Sequence, residues 1–313
     1  MVWSTSRARD YLLRARYDKQ GRRRQISLGP RSEKTEGVKR EFERSRDEAE
    51  SAWKAIQPVM IRQSAVNRAL GLGRVPLLSA RIVRAIDASG LLGVGIRVLG
   101  TNAIYAYEAA SGVHIDAGLT STGDVDLLLD ARQKLHFGLT DEIEQASLIR
   151  LLQKIDRSFV RSRQECRAVN DEGYLVDLIK PLRNPPWQSE APQIGGDPTD
   201  LSAIEITDLS WHESAPPFEA TAIDERGEPL RIVTSDPRVF AVHKFWLSKR
   251  ADRDPVKRAR NLRQAQCVAA LVATYLPQLA FDADQLRMLP RALVDEAAPL
   301  FEPRDTQSGL LAP

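Results

Sequence analysis

The chain has 313 residues, 42% hydrophobic and 28% charged, with a net charge of +3; this excludes a disordered or fibrous polypeptide and leaves room for one large domain or two smaller ones. No apolar run approaches the roughly 18 residues of a membrane span, and the two cysteines, Cys166 and Cys267, set no disulfide framework. Residues 1–7 carry no apolar stretch followed by a small-residue cleavage site, so a cytoplasmic protein is expected.

Residues 12–17 and 25–28 read as a hairpin around the turn Asp18-Lys19-Gln20-Gly21. Arg14, Arg16, Lys19, Arg22, Arg23 and Arg24 crowd this segment, either as a phosphate-attracting patch or as a solvated face. Residues 35–69 are polar and helix-forming, with Phe42, Ala49, Trp53, Ile56 and Met60 at spacings that share one face. Gly71-Leu72-Gly73 ends that helix, and Pro76 opens a shorter one.

A different pattern begins at Ile96. Residues 96–99 form a short strand ending at Gly100, and 103–110 a helix. Gly123 then precedes a strand over 124–130. An acid-led helix spans 141–159, and a hairpin pairs 166–169 with 174–179 around Asn170-Asp171-Glu172-Gly173, stopped by Pro181. Residues 184–198 look like a long loop. Further on come a strand at 204–209 and a hairpin of 218–223 with 230–233. Asp236-Pro237 and Asp254-Pro255 each cap a helix, and the remainder is helical to about 294.

The chemistry lies in three aspartates. Asp124 and Asp126 are two apart on a strand and project together, while Val125, Leu127 and Leu129 face the other way. Two carboxylates about 4 Å apart repel by roughly 4 kcal/mol at an effective dielectric near 20, and a divalent cation offsets this. Hard oxygen ligands suit magnesium, which takes one or two carboxylates plus substrate phosphates. Asp177 is the one charge in the apolar run 174–179; it needs either a metal or an arginine partner or edge position.

These residues resemble the DNA polymerase beta-like nucleotidyltransferase superfamily, whose pattern is a strand, a glycine turn, a helix, a strand with Asp-x-Asp and a third acid on a later strand. Leu99-Gly100-Thr101-Asn102-Ala103 stands for the turn, Asp124-Val125-Asp126 for the pair and Val176-Asp177-Leu178 for the third acid. Gly100 lets the backbone approach phosphates, and Thr101 can bind them. The chain also resembles a bacterial family of predicted nucleotidyltransferases through the stretches 27–32, 100–108, 176–179 and 236–244. The gap from Gly100 to Asp124 is longer than the superfamily pattern, so residues 112–122 form an insertion.

Lys244 sits in the nearly all-apolar run 239–247 and must find an acid, a phosphate or a path to solvent. The resemblance assigns it to the triphosphate. It belongs to a second basic cluster with Lys249, Arg250, Arg253, Lys257, Arg258, Arg260 and Arg263. Arg97 and Arg238 are further phosphate candidates. His243 reads as a packed core residue, and Trp187, Trp211 and Trp246 as core or interface residues.

The expected fold is α+β. A small mixed β-sheet nucleotidyltransferase core (71–183) carries flanking helices, after an N-terminal hairpin and helix extension (1–70). A C-terminal strand and helical region (184–313) completes the cleft. The resemblance implies transfer of a nucleoside monophosphate from a nucleoside triphosphate such as ATP to an acceptor, with release of pyrophosphate. Two magnesium ions, or manganese in their place, are held by Asp124, Asp126 and Asp177, and Gly100, Thr101 and Lys244 bind the nucleotide. RNA, a protein side chain or a small molecule all remain open as acceptor. The alternative is an inactive module on the same fold that binds RNA or a protein partner. A glycosyltransferase with an Asp-x-Asp pair is a third reading, which does not require Asp177.

Overall fold

The computed structural model describes residues 1–6, 8–17, 23–130, 147–183, 185, 192–195, 197–302 and 311–312. The turn at 18–21, Lys19, Arg22, residues 141–146 of the acid-led helix, and Trp187 with most of the 184–198 loop lie outside them. Two compact units result, Met1–Val66 and Asn67–Pro313.

The first unit holds a three-stranded antiparallel sheet, β1 (Val2–Ser6), β2 (Arg9–Tyr17) and β3 (Arg23–Pro30). The β2–β3 hairpin follows the expected pattern; β1 was not anticipated. The sheet runs into α1 (Glu33–Ala69), whose last turn belongs to the second unit. Thr35 fixes the start of α1: its Oγ1 accepts from the Ser32 amide at 2.9 Å and donates to the Pro30 carbonyl at 3.0 Å. Trp53 and Ile56, expected on a shared apolar face, are exposed.

The second unit is built on a mixed sheet of β4 (Ile96–Leu99), β6 (Asp124–Leu129), β9 (Leu175–Pro181), β8 (Arg167–Val169) and β7 (Val160–Arg161), in that spatial order. Here β5 (His114–Ile115) lies in the insertion, and β10 (Ile204–Ile206) pairs in parallel with β9. The central β6–β9 pair is parallel, and β4–β6 and β8–β9 are antiparallel. The fold is α+β, as expected.

Alternation divides β6 between two environments. Val125, Leu127 and Leu129 join Val98, Val176 and Leu178 in a buried core under α2 (Leu77–Ala88) and α5 (Leu148–Ile155). Leu128, on the aspartate side, packs with Leu99, Ile179 and Leu209. Truncating Leu127 to alanine would cost roughly 2–5 kcal/mol.

A second core joins α3 (Ile104–Ser111), α7 (Pro237–Lys249) and α8 (Pro255–Tyr275) through Tyr107, Phe240, Val242, Val268 and Leu271. Both long helices start as the sequence indicates. Asp236 accepts from the Arg238 amide, and Asp254 from the amides of Val256 and Lys257, each cap being worth about 1 kcal/mol.

Three local expectations change. Gly100–Ala103 is a turn of 3-10 helix that leads into α3. The expected insertion forms β5 and α4 (Ala117–Thr120). The strand drawn over 204–209 stops at Ile206, because Asp208 turns left-handed (φ 71°) and Leu209 opens α6 (Leu209–Ser214). The hairpin β11 (Pro217–Ile223) and β12 (Pro229–Ser235) then leads into α7, and α9 (Arg291–Ala297) follows α8.

Candidate active site

Gly100, Thr101, Asp124, Asp126, Asp177 and Lys244 all line one cleft of about 370 Å³. Strand register produces this convergence. Leu99 lies opposite Asp126, which places Gly100 at the carboxylate, and Asp126 lies opposite Asp177 on the parallel neighbour. Adjacent strands are about 4.8 Å apart, so those two acids stand side by side.

Gly100 adopts φ +62°, and a Cβ added there would overlap Oδ2 of Asp126. A side chain is therefore forbidden by backbone conformation and by space together. The long insertion does not displace this turn. Asn102 Nδ2 donates to the Asp124 carbonyl at 2.7 Å, and the Thr122 hydroxyl donates to Oδ1 of Asp124. Gln264 of α8 donates to Thr101 Oγ1 at 3.3 Å and to the Leu119 carbonyl at 2.8 Å, so α8 braces both the turn and the insertion.

Asp126 is half-buried at the cleft floor. The protein around it, followed by the charge of Asp124, pushes its carboxyl up to about 6, and Asp177 adds to the rise while Lys244 opposes it. Lys244 shows the converse effect. The surrounding protein lowers its ammonium to about 8, against the pull of Asp126, and Arg253 and Arg260 lower it further. Its Nζ lies 5.3 Å from the Phe240 ring centroid. The acids want positive charge and the lysine wants negative charge, which suits a cation held with an anion.

Asp177 is already partnered. Arg167, opposite it on β8, donates from Nε to Oδ1 at 2.7 Å and from Nη2 to Oδ2 at 2.6 Å. Of the two settings open to Asp177, the arginine partner is present. Among the described residues no group of three or more His, Cys, Asp or Glu side chains forms a metal cage. The donor set still fits magnesium. Two half-buried carboxylates on one strand are hard oxygen ligands, and magnesium takes its remaining ligands from phosphates and water. A bidentate arginine occupies about two of a carboxylate's four lone-pair sites, so Asp177 retains acceptor capacity.

The opposite wall is basic. Arg250, Arg253, Lys257 and Arg260 line the cleft with Asn261 and Gln264, so the three acids face six cations once Arg167 and Lys244 are included. Burial, then the charge of Arg250, lowers Arg253. Nε of Arg260 and Nδ2 of Asn261 are buried without hydrogen-bond partners. The structure sorts the second basic cluster accordingly. Lys249 turns to Glu296 and Arg258 donates to the Ser248 carbonyl, away from the cleft.

Arg97 and Arg238 do not join the site. Arg97 donates to the carbonyls of His212 and Ala215. Arg238 is buried against Asp236, Ala280 and Gln285. His243 is packed, 8% exposed, and bonds His212 at 2.7 Å; His212 in turn bonds Ser235 Oγ at 2.7 Å. Burial holds His212 down at about 3 and His243 well below its usual value, so both stay neutral.

A nucleotidyltransferase family model matches residues 78–289, about two thirds of the chain. The protein belongs to that nucleotidyltransferase family. The matched span includes the glycine turn, all three aspartates, Lys244 and the basic face of α8. No curated protein and no solved structure matches the chain.

Proposed function

We propose that this protein transfers a nucleoside monophosphate from a magnesium-bound nucleoside triphosphate to an acceptor hydroxyl or phosphate. The observation that carries the reading is the meeting of Asp124, Asp126 and Lys244 in one cleft beside a glycine whose side-chain space is taken by Asp126. Asp124 and Asp126 hold the metal, and Asp177 contributes through the lone pairs that Arg167 leaves free. When bound, magnesium supplies fixed positive charge against the charge that develops on the transferring phosphoryl group. Lys244, Arg253, Lys257 and Arg260 hold the phosphate tail, and the Thr101 hydroxyl offers a hydrogen bond to it. The acceptor oxygen forms a bond to the α-phosphorus as the bridge to the β-phosphate breaks. The bridging electron pair leaves with pyrophosphate, and where the acceptor is a hydroxyl its proton passes to Asp177.

The Arg167–Asp177 ion pair favours a second reading, in which the scaffold binds RNA or a protein through its basic wall without turnover. Incubating the protein with α-labelled nucleotides, magnesium and total RNA or cell extract separates the two. Label transferred by wild type and lost in Asp126→Ala supports the transferase. No transfer, with salt-sensitive RNA binding retained, supports the module.

A further inference from the structure

Trp246 lines a second pocket as well as the cleft. This pocket is about 590 Å³ and is lined by Asp208, Trp211, Trp246, Leu293 and Glu296, with Pro290 and Ala292. Its chemistry is the reverse of the cleft's. Two carboxylates and two indoles line it, with no basic side chain among the described residues.

Asp208 carries three separate marks of an unspent group. Its backbone is left-handed, at φ 71° and ψ −1°, a region that non-glycine residues seldom adopt. It stands at the N-cap of α6, yet its side chain makes none of the capping hydrogen bonds for which aspartate is favoured there. Its Oδ2 is buried without a hydrogen-bond partner. Arg250 is the cation whose charge reaches it, but Nε and Nη2 of Arg250 are bonded to Asp252, and its guanidinium lies 4.9 Å from the Trp246 ring centroid. Glu296, by contrast, is answered by Lys249.

The two indoles meet edge to face, with centroids 5.6 Å apart. Indole rings beside a carboxylate with an unbonded oxygen attract cations and the apolar bodies that carry them. Backbone strain and an unsatisfied acceptor at a single residue are typical of a positioned binding group.

We infer that this pocket binds a small organic cation, a protonated amine on an apolar or aromatic body, with its charge at Asp208 and its body against Trp211 and Trp246. The cleft, with its excess of positive charge, repels such a ligand, so the two sites take different classes of molecule. The inference does not depend on nucleotidyl transfer.

The test is a tryptophan-fluorescence titration of the full chain with phenethylamine, 2-phenylethanol and phenylacetate, which share a body and differ in charge. Phenethylamine is expected to bind about tenfold or more tightly than 2-phenylethanol, with phenylacetate weakest. Asp208→Asn, which tolerates the same backbone, is expected to abolish the amine's advantage and leave the alcohol's affinity unchanged. Equal affinities for amine and alcohol in the wild type would overturn the inference. So would an amine preference that persists in Asp208→Asn, or competition between phenethylamine and magnesium–ATP, which would place the amine in the cleft. Should Asp208→Asn not fold, the wild-type amine-to-alcohol ratio at low and at about 1 M salt decides. A ratio that collapses with screening supports a carboxylate site, and an unchanged ratio sinks it.

Discussion

Arg167 faces Asp177 across the β8–β9 pair and donates two hydrogen bonds to its carboxylate, at 2.7 and 2.6 Å. Asp177 is at the same time the parallel-strand neighbour of Asp126. One carboxylate therefore borders both an arginine and the acid pair proposed to hold magnesium, and its affinity for each is set by competition.

That competition can be measured. If Asp177 contributes to the metal, Arg167→Gln tightens manganese binding several-fold in the absence of nucleotide, and Asp177→Asn weakens it about tenfold or more. Manganese titration followed by calorimetry or relaxation enhancement gives both values. Unchanged affinity in both variants would remove Asp177 from the metal set.

Gly100→Ala is expected to lower stability by at least about 1 kcal/mol, through positive φ and overlap with Asp126. The overlap component has a single partner. Gly100→Ala combined with Asp126→Ala should recover part of the loss, giving a non-additive cycle, while nucleotidyl transfer stays abolished. Strict additivity of the two stability changes would show that Oδ2 of Asp126 is not the obstacle.

The raised Asp126 carboxyl gives a pH-dependent cost. Its folded value is about 6 against an ordinary 3.8, so between those values the folded state binds more protons than the unfolded one. Stability contributed by this group then falls as pH rises through that window, and the deficit is complete above about 6. Asp126→Asn removes it. Metal-free Asp126→Asn protein should be more stable than wild type at pH 7.5, by roughly 1–3 kcal/mol, and not at pH 4. Thermal denaturation in EDTA at the two pH values provides the check.

His212 and His243 act in the opposite sense. Both are held below the ordinary 6.5, so below that pH the unfolded chain binds protons that the folded pair refuses. The stability they contribute is present above about pH 6.5 and is lost progressively as pH falls below it. Denaturant titrations from pH 7 to pH 5 should show a fall of up to about 1.4 kcal/mol per pH unit for each histidine. The slope should diminish in His212→Gln/His243→Gln.

The carboxylate strand was legible because strand alternation has only one answer: Val125 and Leu127 need the core, so Asp124 and Asp126 must leave it. Lys244 was legible as one charge in an apolar helix. Arg167 was not recoverable by counting: stepping outward from the turn at 170–173 sets residue 166 opposite 177, and the actual register, shifted by one, puts Arg167 there. The second basic cluster was visible as composition, but only the tertiary placement of α7, α8 and the turn between them decides that Arg253, Lys257 and Arg260 line the cleft while Lys249 and Arg258 do not. The His212–His243 contact and the Asp208 turn left no trace, because each depends on tertiary placement of α6. Asp208 lies within a β-rich run that reads as a continuous strand.

The two walls of the cleft are far apart in the chain, with Lys244 lying 118 positions after Asp126. During ribosomal synthesis at about 5–20 residues per second, the acidic floor emerges roughly 6–24 s before its basic counterpart. A nascent chain at that stage has β4 and β6 but neither β9, which brings Asp177, nor the basic wall. A chain that ends before α7 and α8 carries Asp124 and Asp126 without the cations that face them in the complete cleft.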